Sequence, residues 1–350
     1  MCNYLKINLP NLLKNLHIIC KKVLPQCVVA PVLKYNAYGL GITEIAKFLA
    51  QHTYQDFWVL NLDEALVLRN ILPSSNIYIL QGILRTSDLP IIQHFKLIPV
   101  INNIKNFYTV MNKVKRIVIH FDTGIGRDGL QLNNISNIIH NISPSHIMIS
   151  HLSSANITNS NLNYKQLHKF IKLKQIFPNN IYSLANSGGT LFGKKYHFDM
   201  VRVGGFMYGV NIKHSSDMVN NVVQYYAYIY DRKILSKKTA LGYNATYYAN
   251  KGDKIFCINV GYANGFTCPL SNKYWAIYKN IKLPFIGKTS MNLITLCANQ
   301  LPTGIFLKIK YVELIGKNNN INKVANIANI DPRQILTSFS NMKNRIYVNK

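Results

Sequence analysis

Acidic side chains are scarce in this sequence of 350 residues. It contains 13 Asp and Glu residues against 40 Lys and Arg residues, which gives a formal net charge of +27. Such an excess is typical of proteins that bind phosphate-rich partners, including nucleic acids and anionic membrane surfaces. The basic residues are nevertheless dispersed along the whole chain, which is also rich in Asn, Ile and Tyr. We therefore attribute the charge to compositional bias and predict no nucleic-acid partner.

Closely spaced cysteines and long apolar runs are missing as well. The six cysteines contain no C-x-x-C pair, so we predict free thiols and neither a bound metal nor a disulfide framework. No apolar run approaches the ~18 residues that a membrane-spanning helix needs. Residues 1–22 carry a polar or basic side chain every few positions, which predicts an amphipathic helix and not a signal peptide. These absences predict a cytoplasmic protein without a membrane segment.

Short apolar runs alternate with helical patterns over the first two thirds of the chain. Eight of these runs have the character of strands: CVVAPVL, DFWVLNL, IYILQGI, LIPVINN, RIVIHFD, HIMISHL, IYSLANS and FDMVRVGG. Helical patterns such as ITEIAKFLAQ and NYKQLHKFIKLKQIF lie between them. Strands and helices that alternate in this number favour a closed parallel barrel over an open sheet. We predict an α/β fold with an N-terminal (β/α)8 TIM-type barrel over residues 1–218.

The pattern changes after about residue 210. VVQYYAYIYDRKIL alternates aromatic and polar residues, as a half-exposed antiparallel strand does. Further strand-like runs are KIFCINVGY, YWAIYKNIKLPFIG, SMNLITLCA and IFLKIKYVELIG, followed by a helical INKVANIANI and a last short strand, RIYVN. We therefore predict a mainly β C-terminal domain over residues 219–350, packed closely against the barrel because no long linker separates the two.

A lysine directly follows the first predicted barrel strand. In VLKYNAYGLG, Lys34 stands at the strand end, which is where barrel enzymes carry their catalytic groups. A lysine buried at such a place is costly unless it is paired, loses its proton or is used covalently, and Schiff-base chemistry is one such use. Considered by itself, a surface lysine with a buried stem is the alternative interpretation.

A G-x-G-x-x-G pattern formed by Gly124, Gly126 and Gly129 follows the fifth predicted strand. A dinucleotide site also requires an acidic residue about 20 residues further on. The next acidic residue after Asp128 is Asp199, and the pattern does not lie at the first strand of the fold. We interpret this match as a coincidence.

Two glycine pairs follow the last two predicted barrel strands. Ser187 precedes the first pair in LANSGGTL, and Gly204 and Gly205 form the second in VRVGGFMYGV. Backbone N–H groups at glycine can approach an anion closely. Each pair alone is equally well explained as a tight turn, but phosphate sites recur after strands seven and eight of such barrels. The two pairs together predict a phosphate site.

Taken together, these motifs resemble those of the alanine racemases, a family that joins a barrel to a β domain. VLKYNAYGLG is similar to the family's cofactor-lysine signature, and LANSGGTL, VRVGGFMYGV, LGYNATYYA, VGYANGF and SMN follow in the family's order and spacing. The resemblance extends to Tyr347 and so covers nearly the whole chain. It implies a pyridoxal-phosphate-dependent interconversion of L-alanine and D-alanine, supplying D-alanine for peptidoglycan, by a homodimer with shared active sites.

Two catalytic residues are implied by this resemblance. Lys34 holds pyridoxal 5'-phosphate as a Schiff base and serves one face of the substrate, and Tyr243 of the partner subunit serves the other face. His151 and Arg202 are similar to the family's relay that helps the tyrosine act as a base, and Arg202 also faces the pyridine nitrogen of the cofactor. Because arginine stays protonated, it gives that nitrogen no proton, which makes the ring a weaker electron sink.

The resemblance also implies the binding residues. Besides Lys34, the cofactor is held by Tyr38, His151, Asn186, Ser187, Arg202, Gly204, Gly205 and Tyr347. The substrate carboxylate is held by Arg127 and the backbone N–H of Met291. Tyr262 lies near the entrance and limits the size of the substrate.

Three positions depart from the family's pattern. His120 stands where many members carry a carbamylated lysine that pairs with the arginine, so we expect a chloride, a water or Asp122 to orient Arg127 instead. Asn264 and Asn292 stand where aspartate is usual, although asparagine keeps an acceptor oxygen. The alternative function is therefore a broader-specificity or weakly active amino-acid racemase of the same fold. A decarboxylase on this architecture is disfavoured by the LGYNATYYA motif.

Overall fold

The computed structural model of the protein describes residues 2–212 and 219–349. Its strands are β1 Tyr4–Asn8, β2 Val28–Pro31, β3 Asp56–Val59, β4 Asn76–Ile79, β5 Ile98–Ile101, β6 Val118–His120, β7 Ile147–Ile149, β8 Ile181–Ser183, β9 Met200–Val203, β10 Val223–Ile234, β11 Thr239–Leu241, β12 Tyr247–Ala249, β13 Lys254–Ile258, β14 Trp275–Tyr278, β15 Ile281–Pro284, β16 Ile294–Cys297, β17 Tyr311–Ile315 and β18 Arg345–Val348. Its helices are α1 Leu9–Cys20, α2 Lys34–Tyr38, α3 Ile42–Gln51, α4 Leu62–Ile71, α5 Leu89–His94, α6 Ile104–Val110, α7 Ile135–Ile138, α8 Asn161–Ile176, α9 Thr303–Lys308, α10 Ile321–Ala328 and α11 Pro332–Ser338. Residues 213–218, which precede the predicted domain boundary, lie outside the described residues.

The eight strands β2 to β9 form a parallel barrel. β3 to β8 pair in chain order, and β2 pairs with β9. Parallel bridges between Val32 and Trp58 and between Asn186 and Arg202 join these two sets and close the ring. The strands are short and almost wholly buried, as expected where helices cover a parallel sheet. Seven of the strands lie within a predicted run and β4 begins one residue before its run, so the predicted barrel is confirmed.

The N-terminal segment differs from the prediction of one amphipathic helix. Residues 4–8 form β1, and the helix α1 begins only at Leu9. Leu5 and Ile7 alternate with less buried neighbours, so this stretch has the period of a strand and buries one face. The side chain of Asn8 then accepts a hydrogen bond of 2.8 Å from the N–H of Asn11 and caps the helix.

The C-terminal part of the chain is mainly β. Its large sheet has the order β15-β14-β17-β10-β1-β18, with β13 and β16 added along the far half of the long strand β10. One predicted strand is partly wrong, because the first residues of IFLKIKYVELIG belong to the helix α9 and the strand begins at Tyr311. Pro302 directly precedes this helix, which buries Phe306 and leaves Leu307 exposed. The mainly β character of this region is as predicted.

Elements of the C-terminal region cover the end of the barrel that carries Lys34. The side chain of Asn322 in α10 donates to the carbonyl of Gly209 at 2.8 Å and accepts from the N–H of Asn211 at 2.9 Å. Arg345 in β18 donates to the carbonyl of Gly39, directly after α2. These contacts bring α11 beside α2. The end of the barrel is therefore a cleft roofed by the C-terminal region.

The part of the chain that the structure describes contains neither a disulfide nor a membrane-spanning helix. All six cysteines are unpaired, and Cys27 is buried. The helix α8, with 16 residues, is the longest in the described chain and contains several lysines. Within residues 2–212 and 219–349, no helix combines the length and the apolar character needed to cross a bilayer.

Candidate functional site

A cavity of about 430 Å³ lies at the carboxyl ends of the barrel strands. Such a place is where barrel enzymes carry their sites. Nine of the residues predicted for the site line it: Lys34, Tyr38, Arg127, His151, Asn186, Ser187, Arg202, Gly204 and Gly205. The structure thus brings together residues that are distant in the sequence, from five different strand ends.

Lys34 lies half-buried at the start of α2 and lines this cavity. Burial lowers the pKa of its amine from the usual value, and the nearby cations Arg127 and Arg333 lower it further. A lowered pKa increases the fraction of neutral amine at physiological pH, and only the neutral amine attacks a carbonyl or accepts a proton. Lys34 therefore has the environment of a reactive lysine and not that of a surface residue.

The four residues after Lys34 form a left-handed turn. Tyr35, Asn36, Ala37 and Tyr38 have φ angles between 52° and 55°. Left-handed helical backbone costs roughly 1–2 kcal/mol per residue other than glycine, so surrounding contacts must hold the turn in place. Asn36 provides one of them, because its side-chain oxygen accepts a hydrogen bond of 2.8 Å from the N–H of Ile42.

Glu64 provides the other support of this turn. Its two carboxylate oxygens accept hydrogen bonds of 2.8 Å each, one from the N–H of Asn36 and the other from the N–H of Leu60. Sequence reasoning missed this residue. The signal was present, since Asn61 and Glu64 have the spacing of a helix-capping pair.

The two glycine-containing loops and Tyr38 form a small cradle. A Cβ placed on Gly204 would lie 2.5 Å from the hydroxyl oxygen of Tyr38, so only glycine fits beneath that ring. The N–H of Gly204 donates to the hydroxyl of Ser187 at 3.0 Å. The N–H groups of Gly205 and Phe206 have no hydrogen-bond acceptor among the residues that the structure describes. Free amides beside hydroxyl groups are suited to an anion such as phosphate.

Arg202 is buried in the floor of the cavity. Its guanidinium donates to the carbonyl of Ser183 at 2.7 Å and to the carbonyl of Ser150 at 2.5 Å, and it lies over the ring of Trp58. Burial lowers the pKa of Arg202 to about 10, which leaves it charged at neutral pH. Arg202 therefore places a positive charge in the cavity and does not give up its proton at neutral pH.

His151 lies beside this charge. Burial lowers its pKa well below the usual range, and the cations Arg202, Arg127 and Lys34 act in the same direction. Its Nε2 lies 3.4 Å from the side-chain nitrogen of Asn186, whose oxygen accepts from the N–H of Gly189. The amide nitrogen of Asn186 therefore faces the ring, and His151 is a neutral group at neutral pH.

His120 is 4% exposed and does not line the cavity. Its Nδ1 lies 2.8 Å from the side-chain oxygen of Asn102, whose nitrogen donates to the carbonyl of Leu80. This arrangement makes Nδ1 the protonated nitrogen and leaves Nε2 as an acceptor without a partner among the described residues. Burial lowers the pKa of His120 to about 4, so the ring is neutral.

The expectation that Asp122 orients Arg127 is wrong. The carboxylate of Asp122 accepts hydrogen bonds from the backbone N–H groups of Gly124, Ile125 and Gly126 and thereby shapes its own loop. Arg127 instead donates from Nε to Asp128, at 2.7 Å. Sequence reasoning missed Asp128 although it is the adjacent residue.

Four predicted site residues lie outside the cavity of their own chain. Tyr347 donates from its hydroxyl to the carbonyl of Leu40 at 2.9 Å and does not line the cavity. Tyr243, Tyr262 and Met291 lie in the C-terminal region and are 67%, 43% and 54% exposed, respectively. The N–H of Tyr262 donates to the carbonyl of Ser290, so Tyr262 and Met291 lie on one surface.

Asn264 and Asn292 occupy different environments on this surface. The side-chain oxygen of Asn264 accepts a hydrogen bond of 3.1 Å from the N–H of Gly261, which confirms that the amide keeps an acceptor role. Asn292 is exposed. The change to asparagine at position 264 therefore preserves the loop that carries Tyr262.

Comparison with known proteins identifies the family of this chain. The family model described as the N-terminal domain of alanine racemase matches residues 7–212, and the model described as the C-terminal domain matches residues 222–347. The chain belongs to the alanine racemase family. It is therefore a member of a family of isomerases.

Individual alanine racemases are similar along their length. The enzyme of Rickettsia bellii is 35% identical over 335 residues, which cover 91% of this chain and 81% of that protein. The enzyme of Brucella abortus is 31% identical, with 98% and 93% covered. The structure of the Bartonella henselae alanine racemase, which has covalently bound pyridoxal phosphate, matches with a TM-score of 0.88 at 29% identity over 99% of this chain and 100% of that chain.

The side chains of the cavity fit pyridoxal phosphate. Lys34 offers an amine of lowered pKa for the aldehyde. The cradle of Tyr38, Ser187 and Gly204, which a single Cβ would fill, offers hydroxyl groups for a phosphate. A cavity of about 430 Å³ is large enough for a cofactor of this kind.

Proposed function

We propose that this protein interconverts L-alanine and D-alanine with pyridoxal 5'-phosphate bound in the cavity at the barrel end. The observation that carries this proposal is that Lys34, whose pKa is lowered, lines the same cavity as Tyr38, Ser187, Gly204 and Gly205. When bound, the cofactor withdraws electrons from the substrate and so acidifies its Cα–H. The residues that would hold it line this cavity: Lys34, Tyr38, His151, Asn186, Ser187, Arg202, Gly204 and Gly205.

Racemisation requires a proton to leave one face of the substrate and to return on the other. Lys34 serves one face, because burial and the nearby cations lower the pKa of its amine and so favour the neutral form that accepts a proton. Tyr243 serves the other face. Since Tyr243 is 67% exposed and lies outside the cavity of its own chain, it acts in the cavity of a second copy.

The residues around the cavity orient the substrate and restrain its chemistry. Arg127, whose Nε donates to Asp128 at 2.7 Å, binds the substrate carboxylate through its remaining N–H groups. The N–H of Met291 has no acceptor among the described residues and provides a second donor from the partner subunit. Arg202 keeps its proton at neutral pH, so it would face the ring nitrogen of the cofactor without protonating it.

A homodimer with shared sites follows from this division of roles. Tyr243, Tyr262 and Met291 are large side chains left exposed on the C-terminal region. Exposed apolar side chains that lie together mark an interaction surface. In the dimer, this surface closes the partner's cavity, and the D-alanine formed in the cytoplasm supplies peptidoglycan.

The decisive experiment mixes two inactive variants. Lys34→Ala and Tyr243→Phe are each expected to abolish the conversion of L-alanine to D-alanine, and Lys34→Ala to abolish the absorbance of lysine-bound cofactor. Subunits exchanged at random give about half heterodimers, each with one intact site, and so about a quarter of the wild-type rate. If mixing restores no activity, Tyr243 does not act across the dimer. If the wild-type protein shows neither cofactor absorbance nor conversion, the proposed function is wrong.

A further inference from the structure

Arg333 lies in the cavity, although it belongs to the C-terminal region. It is the second residue of α11, and with Asp331 and Pro332 it lines the same space as Lys34. A Cβ placed on Gly205 would lie 3.7 Å from Cδ of Arg333, so the aliphatic stem of this arginine passes over the glycine. The function proposed above leaves this residue without a role.

The guanidinium of Arg333 is held in a fixed direction. Nε donates to one oxygen of Asp331 at 2.7 Å, and Nη2 donates to the other oxygen. The N–H of Arg333 also donates to Asp331, at 2.8 Å. A guanidinium has five N–H groups, and the three that remain here have no acceptor among residues 2–212 and 219–349. Asp331 therefore orients Arg333 and leaves donors available.

Arg333 differs from the other cations of the cavity in its position beside Gly205. The lining contains four cations, Lys34, Arg127, Arg202 and Arg333, and one carboxylate, Asp331. Arg202 donates to backbone carbonyls in the floor, and Arg127 is paired with Asp128. Arg333 is the cation beside Gly205, whose own N–H lacks a described acceptor.

We propose that Arg333 binds the 5'-phosphate of pyridoxal phosphate, with Asp331 holding its guanidinium in place. This inference rests on the proposed function, because it assumes that the cofactor's phosphate lies in the cradle of Tyr38, Ser187 and Gly204. Guanidinium groups bind phosphate through two parallel hydrogen bonds and through charge. The phosphate site then combines neutral groups of the barrel with one ionic group from the C-terminal region.

Pyridoxal, which has the same aldehyde but no phosphate, separates this role from a structural one. We would titrate the cofactor-free protein with pyridoxal phosphate and with pyridoxal, following the absorbance of the lysine-bound form. In Arg333→Gln, the affinity for pyridoxal phosphate is expected to fall about ten-fold or more while that for pyridoxal changes little. Arg333→Lys keeps the stem and the charge and is expected to retain part of the preference.

Arg116→Gln is the matched control, because Arg116 precedes β6 at the opposite end of the barrel and its loss lowers the total charge equally. Its preference for the phosphorylated form is expected to equal that of the wild type. The proposal is overturned if Arg333→Gln keeps the wild-type ratio of the two affinities, or if both affinities fall together with thermal stability. A wild-type protein that binds neither compound overturns the proposed function and this inference with it.

Discussion

The carboxylate of Glu64 accepts a hydrogen bond of 2.8 Å from the backbone N–H of Asn36, inside the left-handed turn that follows Lys34. Its second oxygen accepts from Leu60, so one side chain joins the loops after the first two barrel strands. The turn directs Tyr38 toward Gly204 and leaves Lys34 at the mouth of the barrel. Glu64 thus acts on the site through the backbone of Lys34's neighbours.

Replacement of Glu64 is expected to loosen this turn. Glu64→Ala removes two hydrogen bonds to a charged acceptor, and we expect a loss of about 2 kcal/mol in the free energy of unfolding. The affinity for pyridoxal phosphate is expected to fall as well, since Lys34 directly precedes the turn and Tyr38 is its last residue. Urea unfolding and absorbance titration measure the two effects.

Glu44→Gln is the control for the loss of one acidic residue. Glu44 is exposed on α3, and its Oε1 lies 3.9 Å from Nζ of Lys47. Because exposed ion pairs contribute little, its replacement is expected to change neither the free energy of unfolding nor the affinity for pyridoxal phosphate. Glu64→Gln keeps one acceptor oxygen and is expected to fall between the wild type and Glu64→Ala. Equal behaviour of Glu64→Ala and Glu44→Gln would exclude this role for Glu64.

The cradle beneath Tyr38 is expected to tolerate no side chain. In Gly204→Ala, the new Cβ would lie 2.5 Å from the hydroxyl of Tyr38, which is buried against Tyr208. Overpacking of this kind costs about 1–3 kcal/mol, and the phosphate would lose space. We expect weaker cofactor binding by absorbance titration. Gly304→Ala, where no atom lies within 4 Å of the new Cβ, serves as the control and is expected to bind normally.

His120 predicts how stability depends on pH. Its pKa is lowered from 6.5 to about 4 in the folded protein, so the unfolded chain takes up a proton at higher pH than the folded one. Stability is therefore full above pH 6.5 and falls by up to about 3 kcal/mol as the pH decreases toward 4. Urea unfolding at several pH values measures this slope. His120→Gln is expected to be less sensitive, and an unchanged slope in that variant would contradict the assignment.

Activity is expected to be independent of bicarbonate. A neutral imidazole at position 120 forms no carbamate, and Arg127 is oriented by Asp128 at 2.7 Å instead. Initial rates of L-alanine conversion with and without added bicarbonate should therefore agree. Asp128→Asn, in contrast, is expected to raise the KM for alanine, because Arg127 loses its charged partner. A clear rise in rate on adding bicarbonate would show that this orientation is incomplete.

The barrel was predictable because its signal is local. Its strands are short, largely buried and mainly apolar runs between helical patterns, and these runs can be recognised one at a time. The two segments that departed from prediction have an ambiguous local pattern of apolar and polar residues. Residues 4–8 adjoin a strong helical pattern that hid their alternation, and α9 is too short to show a clear period.

The site was predictable only in part, because several of its groups are assembled by tertiary contacts. The left-handed turn contains Tyr35 and Ala37, residues that give no hint of this conformation. Asp331 and Arg333 reach the cavity only because α11 packs beside α2. No motif in the sequence brings these two residues near Lys34.

The position of β1 constrains how the chain acquires its structure during synthesis. β1 pairs with β10 on one side and with β18 on the other, and both leave the ribosome hundreds of residues later. The apolar side chains of Leu5 and Ile7 therefore emerge early and stay exposed until their partner strands have been synthesised. Such an exposed strand can aggregate unless a chaperone binds it. The large sheet is completed only after β18 has been translated.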